Sequence, residues 1–222
     1  MKKVETHLHV APIGPCAIET ARDVARLHKN AGYDAVICTN HVMKRYFDDI
    51  AAEGKNPYEE YIRTYRELKK HGEKLGLEVW FGAEVCLENE ERREFLLYGI
   101  PETFISENPD IFFWSQKELY QKAHEVDAIV VQSHPYRGND SLGDLTYMDG
   151  IEAYNYHPGH TQPIDEFVSF AAGTGKIITG SSDFHFRGGE NKGGMLVPDD
   201  VKNIKDFVRA LLDGTAECIV QK

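Results

Sequence analysis

The chain has 222 residues, 41% of them hydrophobic, with no long biased tract; one hydrophobic core suffices at this size, so a single domain over residues 1–222 is expected. Its apolar runs are short, as in Ile129-Val130-Val131, and polar Glu5-Thr6-His7 follows the N-terminus almost at once, which predicts no membrane span, no signal peptide and a soluble cytoplasmic protein. A formal net charge of −11 argues against a protein that holds duplex nucleic acid on a broad basic face, while a small anionic substrate stays open because bound divalent cations reverse the potential locally.

Short β-rich runs alternate with helical patterns, the sequence form of βα units that build a parallel sheet or barrel. In chain order, strand Lys2–His7 precedes a helical face of Ile18, Ala21, Val24 and Ala25 that closes near Gly32. Strand Asp34–Thr39 leads into a loop over about residues 42–57, then a helix with Tyr58, Tyr61, Ile62, Tyr65 and Leu68 on one face. Strand Leu77–Val85 comes next, and a second long loop covers about residues 98–114. Strands Ala128–Ser133 and Gly150–Tyr154 precede a helix closing near Gly173 and strand Lys176–Ser181. A helix carrying Ile204, Phe207, Val208, Leu211 and Leu212 and strand Glu217–Val220 end the order. Cys16, Cys38, Cys86 and Cys218 form no CxxC pair, which excludes zinc-finger spacing and points to reduced thiols.

Five apolar runs end in residues able to hold a metal. Val4 leads to His7 and His9, Ala35–Cys38 to His41, Trp80-Phe81 to Glu84, Ile129–Val131 to His134, and Ile177-Ile178 to Asp183 and His185. In a (β/α) barrel the C-terminal strand ends share one face, so these separate segments would form one cluster. His7-Leu8-His9 alone is weak evidence, since two histidines packed at a strand end explain an isolated HxH as well. On a strand, however, the i, i+2 spacing puts both imidazoles on one face, as chelation requires. Glu84 ends a strand expected to be buried, where an unpaired carboxylate is costly and a metal compensates. Gly180-Ser181-Ser182-Asp183-Phe184-His185 adds an oxygen and a nitrogen donor two apart, behind small residues that allow close approach. Mixed imidazole and carboxylate donors without clustered thiolates suit zinc, manganese or iron(II).

Thr6-His7-Leu8-His9, Thr39-Asn40-His41, Gly82-Ala83-Glu84, Gln132-Ser133-His134-Pro135 and Ser182-Asp183-Phe184-His185 resemble, in order and approximate spacing, the motifs of the polymerase-and-histidinol-phosphatase (PHP) family. The resemblance implies an α/β fold, a distorted (β/α)7 TIM-like barrel with two or three divalent metal ions, and hydrolysis of a small phosphate ester by a metal-bound hydroxide. It further implies that His7, His9, Glu84 and Asp183 hold one metal, that Glu84 bridges to a second also held by His134, and that His41 and His185 hold a third. Pro15-Cys16-Ala17 resembles, with one residue inserted, a family segment that sometimes gives the third site a cysteine, so Cys16 is a candidate ligand beside its plainer reading as a small buried thiol. Two departures stand out. Asn40 occupies the place of the family's usual Asp, which removes negative charge near the third site. The stretch Glu94–Gly99 resembles one that normally supplies a histidine to the second metal, with Phe95 at that place. His157 and His160 are candidates to compensate, although surface or hydrogen-bonding roles suit them as well.

Arg137, three residues after His134, is expected to bind an anionic substrate and stabilise charge in the reaction, because a guanidinium matches phosphate oxygens bidentately. Arg187 is a second substrate-binding candidate; the competing reading of either is a surface ion pair of little energetic weight. Glu152 reads as a barrel support, and Lys44-Arg45-Tyr46 as a solvated run. In the expected mechanism Glu84 and Asp183 shape the centre that activates water, and the third metal or a protonated His185 or His41 assists the leaving group. Neither a GxSxG elbow nor a P-loop is present, so no covalent intermediate is expected. Two alternatives belong to other classes. An amidohydrolase-type enzyme acting on a C–N or lactone bond shares the HxH pair and late Asp, but often uses a mid-chain carbamylated lysine where this chain offers Glu84. A non-catalytic metal-binding regulatory module is suggested by Asn40 and Phe95. The expected partner is a small phosphorylated substrate, with no membrane, and the protein is expected to be a monomer or small homo-oligomer.

Overall fold

Capping side chains set where the helices begin. Thr20 accepts from the backbone N–H of Asp23 and starts α1 (Ala21–Asn30), which leaves Ile18 outside the helix and 65% exposed. Asn56 does the same for α3 (Pro57–Leu75), with Pro57 in its first turn and Gly76 left-handed at its end. Ser115 and Glu118 cap α5 (Gln116–His124) reciprocally, and Asn203 caps α7 (Ile204–Leu212). The remaining helices are α2 (Lys44–Ala52), α4 (Phe104–Glu107) and α6 (Asp165–Gly173). The left-handed residue beyond α6 is Gly175 rather than Gly173. This computed structural model describes residues 1–135, 137, 141–158 and 165–220.

Ten strands lie among the described residues: β1 (Lys2–Leu8), β2 (Ala35–Cys38), β3 (His41–Val42), β4 (Glu78–Cys86), β5 (Glu94–Tyr98), β6 (Ile129–Gln132), β7 (Gly150–Asn155), β8 (Ile177–Ser181), β9 (Met195–Val197) and β10 (Glu217–Cys218). They form one sheet in the order β10-β9-β1-β2-β4-β5-β6-β7-β8, with β3 paired to β4. The end of β1 meets the segment after β8 at a Leu8–Phe184 bridge, and Cys218 Sγ lies 3.4 Å from the Ile178 carbonyl, so the sheet curls into a nearly closed barrel. The distorted α/β barrel expected from the sequence is the fold that forms. Every expected strand is present, and β3, β5 and β9 are additional. The distortion is directional: β5 runs antiparallel to both β4 and β6, and β9 to both β1 and β10, while the other pairs are parallel.

Strand residues alternate between two apolar layers. Val36, Cys38, Phe81, Ala83 and Leu97 pack outward with helix residues such as Val24, Tyr65 and Leu68. Ala35, Ile37, Trp80, Leu96 and Val131 pack inward with Phe207, Val208 and Leu211, so α7 fills the barrel end where the parallel strands begin. A sheet covered on both faces is apolar on both, which makes its strands near-continuous hydrophobic runs. The polar residues gather at the opposite end. No helix among the described residues is long and apolar enough to cross a membrane.

His28, on the inner face of α1, is fully buried, with Nδ1 2.9 Å from the Val24 carbonyl and its ring edge-on to Phe184 at 4.7 Å. Burial pushes its pKa down to about 4. The unfolded chain binds a proton below about pH 6.5 while the folded chain resists it, so His28 lowers stability as pH falls from 6.5 toward 4. His28→Phe should therefore reduce the pH dependence of stability in that window by up to about 1.4 kcal/mol per pH unit. Urea unfolding of both proteins at pH 7 and pH 5 checks this; equal losses on acidification would show that His28 is not held neutral.

Candidate metal centre

The strand ends deliver their donors to one cluster. β1 supplies His7 and His9, whose Nε2 atoms stand 3.0 Å apart. Glu84 of β4 sets Oε1 3.2 Å from His7 Nε2 and 3.0 Å from His134 Nε2, and Oε2 3.4 Å from His9 Nε2 and 2.9 Å from His41 Nδ1. Asp183 Oδ1 lies 3.3 Å from His7 Nε2, 3.2 Å from His9 Nε2 and 3.4 Å from His185 Nδ1. His7, His9, His41, Glu84, His134, Asp183 and His185 are thus brought together, and all are buried. His134 and Asp183 reach the cluster from backbone of positive φ, 29° and 47°. For a residue with a side chain that conformation costs roughly 1–3 kcal/mol, and such strain concentrates at functional sites.

Removing an ionised carboxylate from water costs several kcal/mol, and one hydrogen bond to a charged group returns about 1.5–3 kcal/mol. Glu152 meets that cost with four: it accepts from His7 Nδ1 (2.9 Å), Ser181 Oγ (2.6 Å), the His134 N–H (3.0 Å) and Asn155 Nδ2 (2.9 Å). That bond occupies His7 Nδ1, so Nε2 is the atom His7 turns to the cluster. Glu84 Oε2 and Asp183 Oδ1 are buried and make no well-formed hydrogen bond among the described residues, although imidazole nitrogens crowd both. Donor atoms held about 2.0–2.2 Å from one ion stand about 3.0–3.5 Å from each other, which is the spacing across His7, His9, Glu84 and Asp183. The residues present therefore fit a divalent cation. The protonation pattern agrees with strong local fields. Burial pushes His7 down, but the charges of Glu84, Asp183 and Glu152 overcome this and hold it well above its usual range. Its neighbour His9 is held well below by burial, His41 and His185.

Among the described residues four overlapping donor groups can be drawn, each with its atoms within 4.8 Å: His7, His9 and Glu84; His7, His134 and Asp183; His9, His41 and His185; and His41, Glu84 and Glu94. Glu94 is the residue that sequence reasoning missed. Its carboxylate lies 3.5 Å from His134 Nε2 and 3.9 Å from His41 Nδ1, whereas Phe95 is buried in the outer apolar layer and offers no donor. The alternation of β5 explains why: Glu94 shares its face with Leu96 and Tyr98, which point into the barrel, and Phe95 shares the other with Leu97.

The other candidates divide. Cys16 sits beside His41 and His185; burial pushes its thiol up, but hydrogen bonds with those two imidazoles overcome it and hold it down at about 5. Arg137 donates to the Asp183 carboxylate and places Nη2 3.0 Å from His134 Nε2. Arg187 is not brought to the cluster: it is exposed, with Nη2 3.6 Å from Glu19. The His157 ring lies 5.2 Å from that of His185, and His160 falls outside the described residues. Asn40 Oδ1 accepts from the Val10 N–H at 2.7 Å, so it braces the chain just after the HxH pair. Lys44 pairs with Asp48, Arg45 stacks on Tyr46, and the Tyr46 ring is buried 5.6 Å from His41.

No family model matches the chain, and no curated protein matches it. Solved structures do. A two-domain protein from Bacteroides vulgatus that contains a predicted PHP-like metal-dependent phosphoesterase matches at TM-score 0.67 and 16% identity over 99% of this chain. The chain spans 65% of that protein's length. A candidate metal-dependent phosphoesterase from Bifidobacterium adolescentis matches at TM-score 0.60 and 15% identity over 96% of both chains. An amidohydrolase from Chromobacterium violaceum, solved with bound sulfate and no metal, matches at TM-score 0.62 and 13% identity over 94% of this chain and 96% of that one. The chain has the barrel fold found in PHP-like metal-dependent phosphoesterases.

The exchange of roles between residues 94 and 95 is testable. Glu94→Ala should weaken the binding of at least one divalent ion by about 10–100-fold, and Phe95→Leu should leave it unchanged. Calorimetric titration with Mn²⁺ measures both; identical isotherms for the two variants would remove Glu94 from the donors.

Proposed function

We propose that this protein is a metal-dependent phosphoesterase that hydrolyses a small phosphate ester. The observation that carries the reading is the guanidinium of Arg137 lodged against Asp183 and His134, inside the donor cluster. A planar fork of N–H donors beside cation ligands matches two oxygens of a phosphate bidentately. In this reading His7, His9, Glu84 and Asp183 hold one ion, Glu84 with His134 and Glu94 a second, and His41, His185 and Cys16 a third. Zinc, manganese and iron(II) all suit these donors. Bound ions would supply the Lewis acidity that lowers the pKa of water and polarises the phosphoryl oxygens. The chain's own contribution is positional. Glu152 fixes the tautomer of His7, and Arg137 offsets charge that grows on the equatorial oxygens. His185 or His41, where protonated and not engaged by the third ion, would supply a proton to the departing oxygen. A second reading, hydrolysis of a C–N or lactone bond, draws on the fold shared with the Chromobacterium violaceum amidohydrolase.

Elemental analysis joined to phosphate release from a panel of mono- and diesters tests the proposal. Two or more equivalents of metal and turnover are expected, with His7→Ala and Asp183→Ala abolishing turnover. Arg137→Ala should lower kcat/KM by about 10²–10³-fold with metal content retained. Metal uptake without phosphate release from any ester would overturn the phosphoesterase reading in favour of the amidohydrolase or regulatory ones.

A further inference from the structure

Glu5 is fully buried, two residues before His7, and its carboxylate is occupied by the backbone. Oε1 accepts from the N–H groups of Thr6 (3.0 Å), His7 (3.1 Å) and Ser182 (3.1 Å). Oε2 accepts from Ser182 Oγ at 2.6 Å and Tyr33 Oη at 3.4 Å. The pairing of β1 with β2 is irregular at the same place: it passes from Glu5–Val36 to Leu8–Cys38, three residues advancing against two. Such a bulge diverts backbone groups from the ladder and re-aims the side chains that follow.

The consequence is a change of parity. Val4 packs in the inner layer with Ile37 and Trp80, and Leu8 in the outer layer with Val36 and Cys38. In an unbroken strand residues 4 and 8 share a face, so an inward Val4 would turn Leu8 inward and both His7 and His9 outward. The extra residue is what directs the two imidazoles into the barrel. The N–H groups at the bulge, those of Thr6 and His7, donate to Glu5, and the same oxygen accepts from the turn that carries Asp183.

We propose that Glu5 is a positioning residue: its carboxylate sustains the bulge in β1 and ties it to Ser182, so that His7, His9 and Asp183 converge as one donor set. This rests on the reading of the cluster as a metal centre. Titration with Co²⁺, followed by the visible absorption of the bound ion, reports both affinity and ligand geometry at a temperature where the protein is folded. Glu5→Met removes every acceptor at similar volume and should weaken Co²⁺ binding by about 10–100-fold and alter the band, as loss of an outer-shell partner does. Glu5→Gln keeps an amide oxygen for the three N–H groups, while both hydroxyls can turn to accept from its NH2; binding within about threefold of wild type is expected. Wild-type affinity and spectrum in folded Glu5→Met would overturn the proposal. Should Glu5→Met not fold, Ser182→Ala tests the tie from the other side: a weakening of at least about threefold with unchanged circular dichroism supports it, and unchanged binding overturns it. Wild type that takes up no Co²⁺ overturns the metal-centre reading as well, whereas wild type and variants that bind alike overturn only the role of Glu5.

Discussion

The burial of Glu84 among imidazoles is the interaction on which the rest of this end of the barrel depends. Nitrogens of His7, His9, His41 and His134 lie 2.9–3.4 Å from its two oxygens, and no solvent reaches it. A carboxylate so placed is stable only if positive charge is held beside it by groups that cannot retreat. The barrel meets that requirement by drawing its neighbours from three separate segments: His7 and His9 from the end of β1, His41 from β3 and His134 from beyond β6. It also sets the identity of the inward positions along β4: Trp80 belongs to the inner apolar layer, and Glu84 continues the same face to the polar end.

Convergence of this kind needs backbone that departs from regular geometry. The bulge in β1 reverses the parity of the strand before His7, and positive φ values at His134 and Asp183 turn those residues inward after their strands have ended. Each departure is braced by a buried acceptor. Glu5 takes the N–H groups at the bulge and at Ser182, and Glu152 takes the N–H of His134 together with Nδ1 of His7. Two carboxylates beneath the donors thus meet hydrogen-bonding needs that the sheet ladder leaves open, and strain of roughly 1–3 kcal/mol per residue is tolerable because these contacts over-determine it.

Most of the cluster is legible in the sequence because parallel strands end in candidate donors. An apolar run followed by His, Glu or Asp is a pattern a reader can find, and His7, His9, His41, Glu84, His134, Asp183 and His185 all obey it. Glu94 breaks it. β5 is antiparallel, so its first residue, not its last, lies at the polar end of the barrel, and the ligand precedes the apolar run instead of following it. The choice between Glu94 and Phe95 was hidden further by a strand apolar on both faces, where alternation cannot be seen in residue type. Glu5 escaped notice for another reason: its partners are backbone N–H groups, and nothing in a side-chain pattern announces them. Arg187 follows His185 closely in sequence, but the chain has left the strand by then and the guanidinium lies near Glu19.

Asn40 and Glu94 both border His41, the first along the chain and the second across the sheet. Asn40 brings no charge there, and the carboxylate of Glu94 faces both His41 and His134. Asn40 is not idle, since its oxygen holds the Val10 N–H and its carbonyl accepts from Tyr61 Oη at 2.8 Å, contacts that need an acceptor but not a charge. Divalent ions respond to the total charge and hardness of their donors as well as to the identity of each, so the carboxylate of Glu94 would add to the negative charge that such an ion meets beside His41 and His134.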